Sequence, residues 1–595
     1  MKELLYPFDS DNIIKKKKSI RKALLDDGTA RFKKKIAVLG GSTTADIVKI
    51  LDLFLLNEGI EAEFYECEYA QYEQEAIFPS DEFIKFAPDL IFIHTSNRNI
   101  KTWPLMQDSK EAVDQKLSDE LARFKNIWES LKEKFHCPIV QNNFEMPLYR
   151  LLGNKDCYDY RGHSSFICRL NCAMYEYAEK NETFYIHDLN YVSADYGLKE
   201  WLNPYYWNMY KYSLCFNAIP YFAFSLSHII KAIFGRNKKA LAIDLDNTLW
   251  GGIVGDDGVT GIEIGQENGL AQSYYEFQQY IKSIKPLGIL LTICSKNDEE
   301  NAIDGLNHPE GALRPEDFVI IKANWDSKDR NVAAIASELN ITKDAIVFID
   351  DNPVERHIVE SQHPGVLAPL MDTVENYIIN IDRNGFFEIT SFGEDDLKRN
   401  DMYRENSLRN AAQAAFSDYG EYLVSLEMKG QIEDFIPLYI PRITQLTNKS
   451  NQFNLTTKRY TESDIENIYN SPDYIKIYGK LTDKFGDNGV VSVVIGKIEG
   501  EILNIELFLM SCRVLKRDME QAMLDVLLHK ASKKGIKEIR GYYYPTKKNK
   551  MVKDLYTDFG FTKLTEDEEG NSSFTLSVEG YKDQNRYIEL VTSEN

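Results

Sequence analysis

The stretch A-L-A-I-D-L-D-N-T-L-W-G-G, from Ala240 to Gly252, decides the fold of the middle of this chain. It opens with an apolar run, Ala240 to Ile243, that is long enough for one buried parallel strand and too short for a helix. Asp244 and Asp246 follow, and because residues i and i+2 of an extended chain share a face, both carboxylates can enter one crevice. Ligands of open α/β sheets bind at this carboxyl edge. The alternative is an N-cap and a turn after a core strand, where Asp and Asn are common.

Further segments of the same character follow in order. They are Gly288 to Ile293 ending in Cys294-Ser295-Lys296-Asn297, an amphipathic run from Lys328 to Leu339, and Ala345 to Ile349 ending in Asp350-Asp351-Asn352-Pro353. Strands that alternate with helices predict a parallel α/β sheet. For Lys328 the alternative is a solvated lysine in a polar turn, but its spacing before Asp350 favours a functional role.

These motifs resemble the haloacid dehalogenase superfamily of phosphoryl-transfer enzymes, and in detail its FkbH-like subfamily. The matching stretches are D-L-D-N-T-L-W-G-G-I-V-G-D-D-G from Asp244, C-S-K-N-D from Cys294 and F-I-D-D-N-P-V-E-R from Phe348. The resemblance implies that Asp244 is the nucleophile, forming an aspartyl-phosphate, and that Asp246 is the general acid–base.

The same resemblance implies a Mg²⁺ site made of oxygen ligands. Asp350 and Asp351 would complete it together with Asp244 and the backbone carbonyl of Asp246. Without the metal, the carboxylates would repel a phosphate dianion. Ser295 would hydrogen-bond the phosphoryl oxygens, and Lys328 would offset negative charge on the intermediate.

Members of the FkbH-like subfamily are described as loading a glyceryl unit from 1,3-bisphosphoglycerate onto an acyl carrier protein, with removal of phosphate. Cys294 matches the cysteine that holds the glyceryl group, and a nearby Mg²⁺ or lysine would lower its pKa. The alternative is a small buried residue at a strand end. Adjacent strand residues point to opposite faces, so Cys294 and Ser295 share a site only if the strand has already broken there.

Composition limits the partners and the compartment. The chain has 595 residues, enough for about three or four domains, and a net charge of −22, which argues against nucleic acid and anionic membranes as partners. Its cysteines are scattered without CxxC pairs and no signal peptide precedes them, so we expect a cytoplasmic protein. Cys157, His163, Cys168 and Cys172 lie close together, but their spacing matches no common zinc pattern. The apolar run Phe216 to Phe234 indicates a buried helix rather than a membrane span.

Residues 1–236 form the first expected domain, a parallel α/β domain that resembles the SGNH hydrolase fold. Gly41-Ser42 stands where the nucleophile block would be. A serine hydrolase needs a base, usually from a D-x-x-H block, and the nearest counterpart, Asp188 to Tyr191, lacks the histidine. His187 is adjacent but would point the other way in a strand. We therefore expect a binding or packing domain rather than an esterase.

The remaining expected domains are an uncapped haloacid-dehalogenase-like domain at residues 237–375, a helical connector at 376–430 and a GNAT-like α+β domain at 431–595. No large cap domain fits between the central motifs, so an uncapped site suits a substrate large enough to close it. The stretch Tyr439 to Asn454 also matches the FkbH-like pattern. Together these features predict an α/β chain with SGNH-like, Rossmannoid and GNAT-like domains.

The resemblance to GNAT enzymes places a pyrophosphate-binding loop at Arg513 to Asp518, before a helix N-terminus. This loop contains no glycine, and Asp518 would face a phosphate, so acyl transfer from coenzyme A is doubtful. Lys516 and Arg517, with Lys547, Lys548 and Lys550, form basic clusters in an otherwise acidic chain. We expect them to recognise an acidic carrier protein. The alternative is ordinary solvent-facing lysines on a vestigial domain.

The function predicted from the sequence is Mg²⁺-dependent transfer of a glyceryl-type acyl group from 1,3-bisphosphoglycerate to an acyl carrier protein, with removal of phosphate, in polyketide-like or related biosynthesis. The expected partners are the carrier protein and a phosphorylated three-carbon metabolite. Two alternatives remain open. The protein could be a plain phosphatase in which Cys294 only packs, or a non-catalytic scaffold that recruits a carrier.

Overall fold

A computed structural model describes residues 1–413, 416–450, 452–511, 514–546 and 549–592. The chain divides into two compact units. Unit 1 contains residues 1–236 and 388–390, and unit 2 contains residues 237–387 and 391–595.

Unit 1 is a parallel α/β unit with the strand order β2-β1-β3-β4-β5. Its elements are α1 Ser10–Asp26, β1 Phe32–Gly40, α2 Ala45–Asn57, β2 Ile60–Glu66, α3 Tyr72–Ile77, α4 Asp81–Phe86, β3 Leu90–His94, α5 Lys110–Phe135, β4 Ile139–Asn142, α6 His163–Glu179, β5 Phe184–His187, α7 Leu189–Tyr196, α8 Leu198–Trp201, α9 Pro204–Tyr210 and α10 Ile219–Ile233. Alternate residues of β1 enter two cores, Ile36 and Val38 on one face and Ala37 and Leu39 on the other. The middle of the sheet is therefore covered on both faces, which is why the second half of β1 and the whole of β3 are buried.

A buried polar network lies at the carboxyl edge of this sheet. The Ser42 and Ser213 hydroxyl oxygens are 3.2 Å apart, and Ser213 Oγ lies 3.2 Å from His94 Nε2. His94 Nδ1 lies 3.2 Å from Asn142 Oδ1, which also accepts the Thr95 amide. Because Asn142 Oδ1 only accepts, His94 carries its proton on Nδ1, and Ser213 donates to Nε2.

Ser42, the serine at the expected nucleophile position, is part of this network. Ser42 is 2% exposed and its hydroxyl is bonded to Ser213 rather than to a histidine. His187 points away as expected, with Nε2 3.2 Å from Ser225 Oγ. Asp188 caps α7 by accepting the Tyr191 amide. The D-x-x-H position therefore supplies no base, and the SGNH resemblance stays a prediction.

Unit 2 begins with a four-stranded parallel sheet in the order β8-β7-β6-β9. Its elements are β6 Ala240–Ile243, α11 Val254–Asp257, α12 Gly269–Ile284, β7 Leu290–Ser295, α13 Glu299–Leu306, β8 Ile320–Ala323, α14 Lys328–Glu338, β9 Ile346–Ile349, α15 Pro353–Gln362 and α16 Val374–Asp382. Strand β7 ends at Ser295 rather than at Ile293. Residues 237–387 are all described, and within them no cap domain interrupts the sheet.

The rest of unit 2 is a predominantly antiparallel sheet with helices. Its elements are α17 Glu394–Leu397, α18 Arg399–Gln413, α19 Tyr419–Ser425, β10 Lys429–Asp434, α20 Ile440–Lys449, β11 Phe453–Asn454, α21 Glu462–Asn470, β12 Tyr474–Asp483, β13 Gly486–Glu499, β14 Ile502–Met510, α22 Met519–Lys533, β15 Glu538–Tyr543, α23 Leu555–Asp558, β16 Thr562–Glu566, β17 Ser572–Ser577 and β18 Glu589–Val591. The strand order is β16-β17-β15-β14-β13-β12-β10-β18, with β11 beside β14. β14 and β15 are parallel and paired at Ile502–Asn504. The mixed α/β fold class predicted from the sequence is confirmed.

Helix α18 joins the two parts of unit 2. Near its start, Asn400 donates to the Ile289 carbonyl at 2.9 Å, just before β7. Near its end, the fully buried Arg409 donates two hydrogen bonds of 2.7 Å to the Asp483 carboxylate of β12. The highly charged connector is therefore ordered by a bidentate ion pair.

The length and apolarity needed to cross a membrane are not found in any helix of the described residues.

The buried histidines of unit 1 predict that acid destabilises it. Burial lowers the pKa of His94 to about 4 and that of His187 to about 3, so both stay neutral in the fold. Below the ordinary histidine pKa of about 6.5 the unfolded chain binds more protons, and stability falls as pH decreases toward the folded pKa. One such histidine costs about 2 kcal/mol between about pH 7.5 and pH 5.

Urea unfolding at these two pH values checks the prediction. The loss of stability on acidification should be smaller in His94→Gln than in the unsubstituted chain, because glutamine takes up no proton. An equal loss in both proteins would contradict it.

Candidate functional site

The polar residues singled out in unit 2 converge at the carboxyl edge of its parallel sheet. Asp244 follows β6, Ser295 ends β7, Lys328 begins α14 just after β8, and Asp350 follows β9. The backbone continues the register here, since the Asp244 amide donates to the Ile349 carbonyl at 3.0 Å. Parallel strand ends therefore assemble side chains that are more than a hundred residues apart in sequence.

Lys328 lies between two buried carboxylates. Its Nζ is 2.7 Å from Asp244 Oδ2 and 2.5 Å from Asp350 Oδ2, with all three side chains at most 8% exposed. Burial alone would lower the pKa of Lys328, but the two carboxylates raise it above its ordinary value, so the ammonium stays charged. Burial and the nearby Asp244 carboxylate raise the pKa of Asp350. Lys328 is therefore an electrostatic part of the site, not a solvated turn lysine.

Three carboxylates form a group that fits a divalent cation. Oxygens of Asp244, Asp350 and Asp351 lie within 4.8 Å of one another, and this is the single such group among the described residues. Lys328 balances one of their three negative charges, which leaves an excess that a divalent cation would cancel. Carboxylate oxygens are the ligands Mg²⁺ prefers. The expected ligand role of the Asp246 carbonyl stays a prediction.

Hydrogen bonds from Arg356 and to Thr248 fix the backbone of the loop that carries Asp350 and Asp351. Arg356 Nη1 donates to the carbonyls of Asp350 and Asp351, the latter at 2.8 Å. The Asp351 amide donates to Thr248 Oγ1 at 3.1 Å, and the Asn352 amide donates to Asp350 Oδ1 at 2.9 Å. These bonds fix the carboxylates before any ligand binds.

Asp246 faces the glycine-rich stretch from Trp250 to Asp257, here called the flap, instead of the three-carboxylate group. Its Oδ1 accepts from Trp250 Nε1 at 2.9 Å and from the Val254 amide at 3.0 Å, and its Oδ2 accepts from Asn297 Nδ2 at 3.0 Å. Burial raises the pKa of Asp246. Trp250 is itself wedged against α13, where a Cβ on Gly305 would lie 2.7 Å from the indole.

Cys294 and Ser295 face opposite sides of the sheet because β7 does not break before Ser295. Cys294 is fully buried in the core cluster with Val332 and Phe348, and its Sγ is 3.6 Å from the Lys328 carbonyl. Burial raises the pKa of the thiol. Ser295 is 1% exposed. The structure thus places Cys294 beneath the site, where a neutral thiol packs against apolar side chains.

The N-terminus of α22 is the second place where the sequence indicated a ligand. Here Glu520 Oε1 accepts the Lys516 amide at 2.9 Å, and Asp518 Oδ2 accepts the Arg586 and Tyr587 amides. The chain's own carboxylates thus occupy positions near this helix start.

Arg517 was expected in an exposed basic cluster, and that prediction is wrong. It is 6% exposed and directed at Asp483 and Asn406, since the acidic β12 turn offers it a buried partner. Lys550 is exposed. Arg513, Lys547 and Lys548 lie outside the described residues.

Sequence reasoning missed four side chains that hold the site together, namely Thr248, Trp250, Asn297 and Arg356. All four lie inside the motifs that carry the family resemblance, at positions that bear no reacting group. The available signal was their position within five residues of a candidate site residue, which is Asp246, Ser295 or Asp351.

Two comparisons with known proteins found similarities to this chain. Residues 35–231 match the family model described as FkbH, N-terminal domain. The N-terminal part of protein BF1531 from Bacteroides fragilis, which contains a phosphatase domain and was solved in complex with Mg, is 29% identical. That similarity covers 63% of this chain and 99% of that chain, with a TM-score of 0.58. A comparison with curated proteins finds no match.

Acetyltransferase structures are also found. The ribosomal-protein-S18-alanine N-acetyltransferase from Escherichia coli is 12% identical over 26% of this chain and 97% of that chain, with a TM-score of 0.21. The PaiA N-acetyltransferase from Thermoplasma acidophilum, solved with coenzyme A, is 16% identical over 25% and 99%, with a TM-score of 0.20. Scores this low say nothing about ligands. The chain is therefore similar to the FkbH N-terminal domain over residues 35–231 and to a Mg-bound protein that contains a phosphatase domain, and the GNAT-like fold of residues 431–595 stays a prediction.

Replacing Lys328 tests the charge balance of the site. Lys328→Met leaves Asp244 and Asp350 facing each other without their cation, and breaking such a buried pair costs about 3–5 kcal/mol. Because Mg²⁺ replaces the missing positive charge, it should raise the melting temperature of Lys328→Met more than that of the unsubstituted chain.

Lys285→Met is the matched control. Lys285 pairs with Asp317 at 2.9 Å, away from the three-carboxylate group, so Mg²⁺ should raise the melting temperature of Lys285→Met only as much as that of the unsubstituted chain. Calorimetric melting with and without Mg²⁺ checks this. Equal responses of both variants to Mg²⁺ would contradict the proposed balance.

Proposed function

We propose that this chain is a Mg²⁺-dependent enzyme of the phosphatase type, which transfers a phosphoryl group from an organic substrate to Asp244 and then to water. The observation that carries the proposal is the buried ammonium of Lys328 between Asp244 and Asp350, beside Asp351. The similarity to a Mg-bound phosphatase-domain protein supports it.

The side chains have distinct tasks in this reaction. A bound Mg²⁺ held by Asp244, Asp350 and Asp351 would neutralise the phosphoryl oxygens. Asp244 then attacks phosphorus and Lys328 offsets the charge of the intermediate. Asp246 donates a proton to the leaving oxygen and later removes one from the attacking water. Its orientation is set by Trp250, Val254 and Asn297.

The nucleophile assignment predicts a large loss in one variant. Asp244→Asn should keep the fold and much of the metal site but lower turnover of a phosphate monoester by several orders of magnitude, because an amide is a poor nucleophile. Phosphate release measured at saturating Mg²⁺ checks this. Chelation should abolish activity, and Mg²⁺ rather than Zn²⁺ should restore it, since the ligands are hard oxygens. Near-normal turnover in Asp244→Asn would refute the assignment.

A second candidate function is transfer of a glyceryl-type acyl group from 1,3-bisphosphoglycerate to an acyl carrier protein. The match of residues 35–231 to the FkbH N-terminal domain favours it, as does the uncapped mouth of the site. It requires Cys294 to form a thioester, and the buried thiol would first have to be exposed. Of the proposed carrier-binding side chains, Lys516 and Lys550 remain available for an acidic partner.

Cys294→Ala separates the two functions. If acyl transfer occurs, incubation with 1,3-bisphosphoglycerate and Mg²⁺ gives a hydroxylamine-sensitive adduct with the mass of the acyl group in the unsubstituted chain and no acyl adduct in Cys294→Ala, whereas the phosphoryl adduct at Asp244 has a different mass and forms in both. Phosphate release by the variant should persist, because the phosphoryl chemistry uses the carboxylates. Intact-mass spectrometry is the measurement. An unchanged adduct in the variant would exclude Cys294 as the acyl carrier and leave the phosphatase function.

A further inference from the structure

The loop after β7 ties the carboxyl edge together. Three consecutive side chains of this loop contact helix α15 and two other loops. Lys296 Nζ pairs with Glu355 Oε1 at 2.6 Å, Asn297 donates to Asp246 at 3.0 Å, and Asp298 Oδ1 accepts from Trp325 Nε1 at 2.9 Å. Through them the loop reaches the segments that follow β9, β6 and β8. Asn297 links it to the acid–base carboxylate, and Asp298 links it to Trp325.

Asp298 gives up an ordinary stabilising contact for this link. It is the N-cap residue of α13, where an aspartate usually accepts an amide of the first turn and contributes about 1 kcal/mol. No such capping bond forms, and its carboxylate accepts the indole N–H instead.

The Trp325 side chain is also unusually exposed for a tryptophan. It is 71% exposed, in the polar turn between β8 and Lys328, although burying an indole is among the most favourable side-chain contributions to a core. A tryptophan that is held by its N–H and remains 71% exposed offers an aromatic surface to a ligand.

Trp325 lies close in sequence to Lys328 and is hydrogen-bonded to the loop that carries Asn297. It is three residues before Lys328, so their Cα atoms are at most about 11 Å apart. It is also one hydrogen bond from Asp298, whose neighbour Asn297 holds Asp246. Since Asp246 protonates the leaving oxygen, Trp325 lies on the leaving-group side of the site.

We propose that Trp325 is a specificity residue, and that its indole, oriented by Asp298, contacts the leaving group of the phosphorylated substrate. The inference rests on the proposed phosphatase function and names its substrate class. The Asp298 carboxylate contacts the indole N–H, and Asp326 is the residue directly after Trp325. These charges repel an anionic leaving group, so the favoured one is uncharged and offers a planar or apolar face.

Two simple phosphates test the proposal, phenyl phosphate with an aromatic leaving group and methyl phosphate with a small one. Trp325→Ala should lower kcat/KM for phenyl phosphate about tenfold, mainly through KM, because a lost aromatic contact is worth about that factor. For methyl phosphate the change should be less than about twofold. Asp298→Ala frees the indole and should give a smaller loss, again confined to phenyl phosphate. Phe78→Ala, which removes another exposed aromatic side chain in unit 1, is the matched control and should change neither value.

Equal losses for both phosphates in either variant would overturn the proposal, because they would mean that Trp325 and Asp298 act only through the position of Asp246. No loss for either phosphate would overturn it as well.

A binding measurement decides the point without turnover. Calorimetric titration of Asp244→Asn with phenyl phosphate and Mg²⁺ should give about tenfold tighter binding than the same titration of Asp244→Asn/Trp325→Ala. Equal affinities would refute the role of Trp325. Failure of the unsubstituted chain to hydrolyse either phosphate would refute the proposed function instead, and the titration would still decide the role of Trp325.

Discussion

The ion pair between Lys328 and the carboxylates of Asp244 and Asp350 is the interaction on which the site depends. Three negative side chains crowded at one sheet edge repel one another, and burial makes that repulsion stronger. A single ammonium 2.7 Å and 2.5 Å from two of them makes the arrangement stable without abolishing its negative excess. The negative charge of the three carboxylates requires the lysine for stability and, where the lysine does not neutralise it, attracts a divalent cation. Stability and metal binding therefore have the same electrostatic origin.

The parallel sheet makes this arrangement possible. The polar residues that end or follow each strand lie at one edge, because the strands are parallel and their carboxyl ends meet there. The loop after β7 then contacts helix α15 through Lys296, Asp246 through Asn297 and Trp325 through Asp298. The Asp246 carboxylate is thus positioned by Trp250 and the Val254 amide of the flap and by Asn297 of this loop.

Much of this could be predicted from the sequence, because short apolar runs ending in carboxylates mark buried parallel strands and their ends. The strands around Ala240 and Ile346 and the helix that begins at Lys328 were predicted almost to the residue. What could not be predicted was tertiary. Nothing local shows that β7 continues through Ser295, that Cys294 therefore faces the core, or that Arg517 turns inward to Asp483. Trp325 and Asp298 were likewise invisible, because their contact joins segments that follow different strands.

The most direct test of the account is to identify the residue that receives the phosphoryl group. The protein is mixed with Mg²⁺ and phenyl phosphate, quenched rapidly and treated with borohydride, which reduces an aspartyl-phosphate to homoserine. Peptide mass spectrometry then locates the change. The account predicts homoserine at position 244 and none in the Mg²⁺-free control. Reduction at Asp246, Asp350 or Asp351, or phosphate release with no reducible intermediate at any carboxylate, would contradict it.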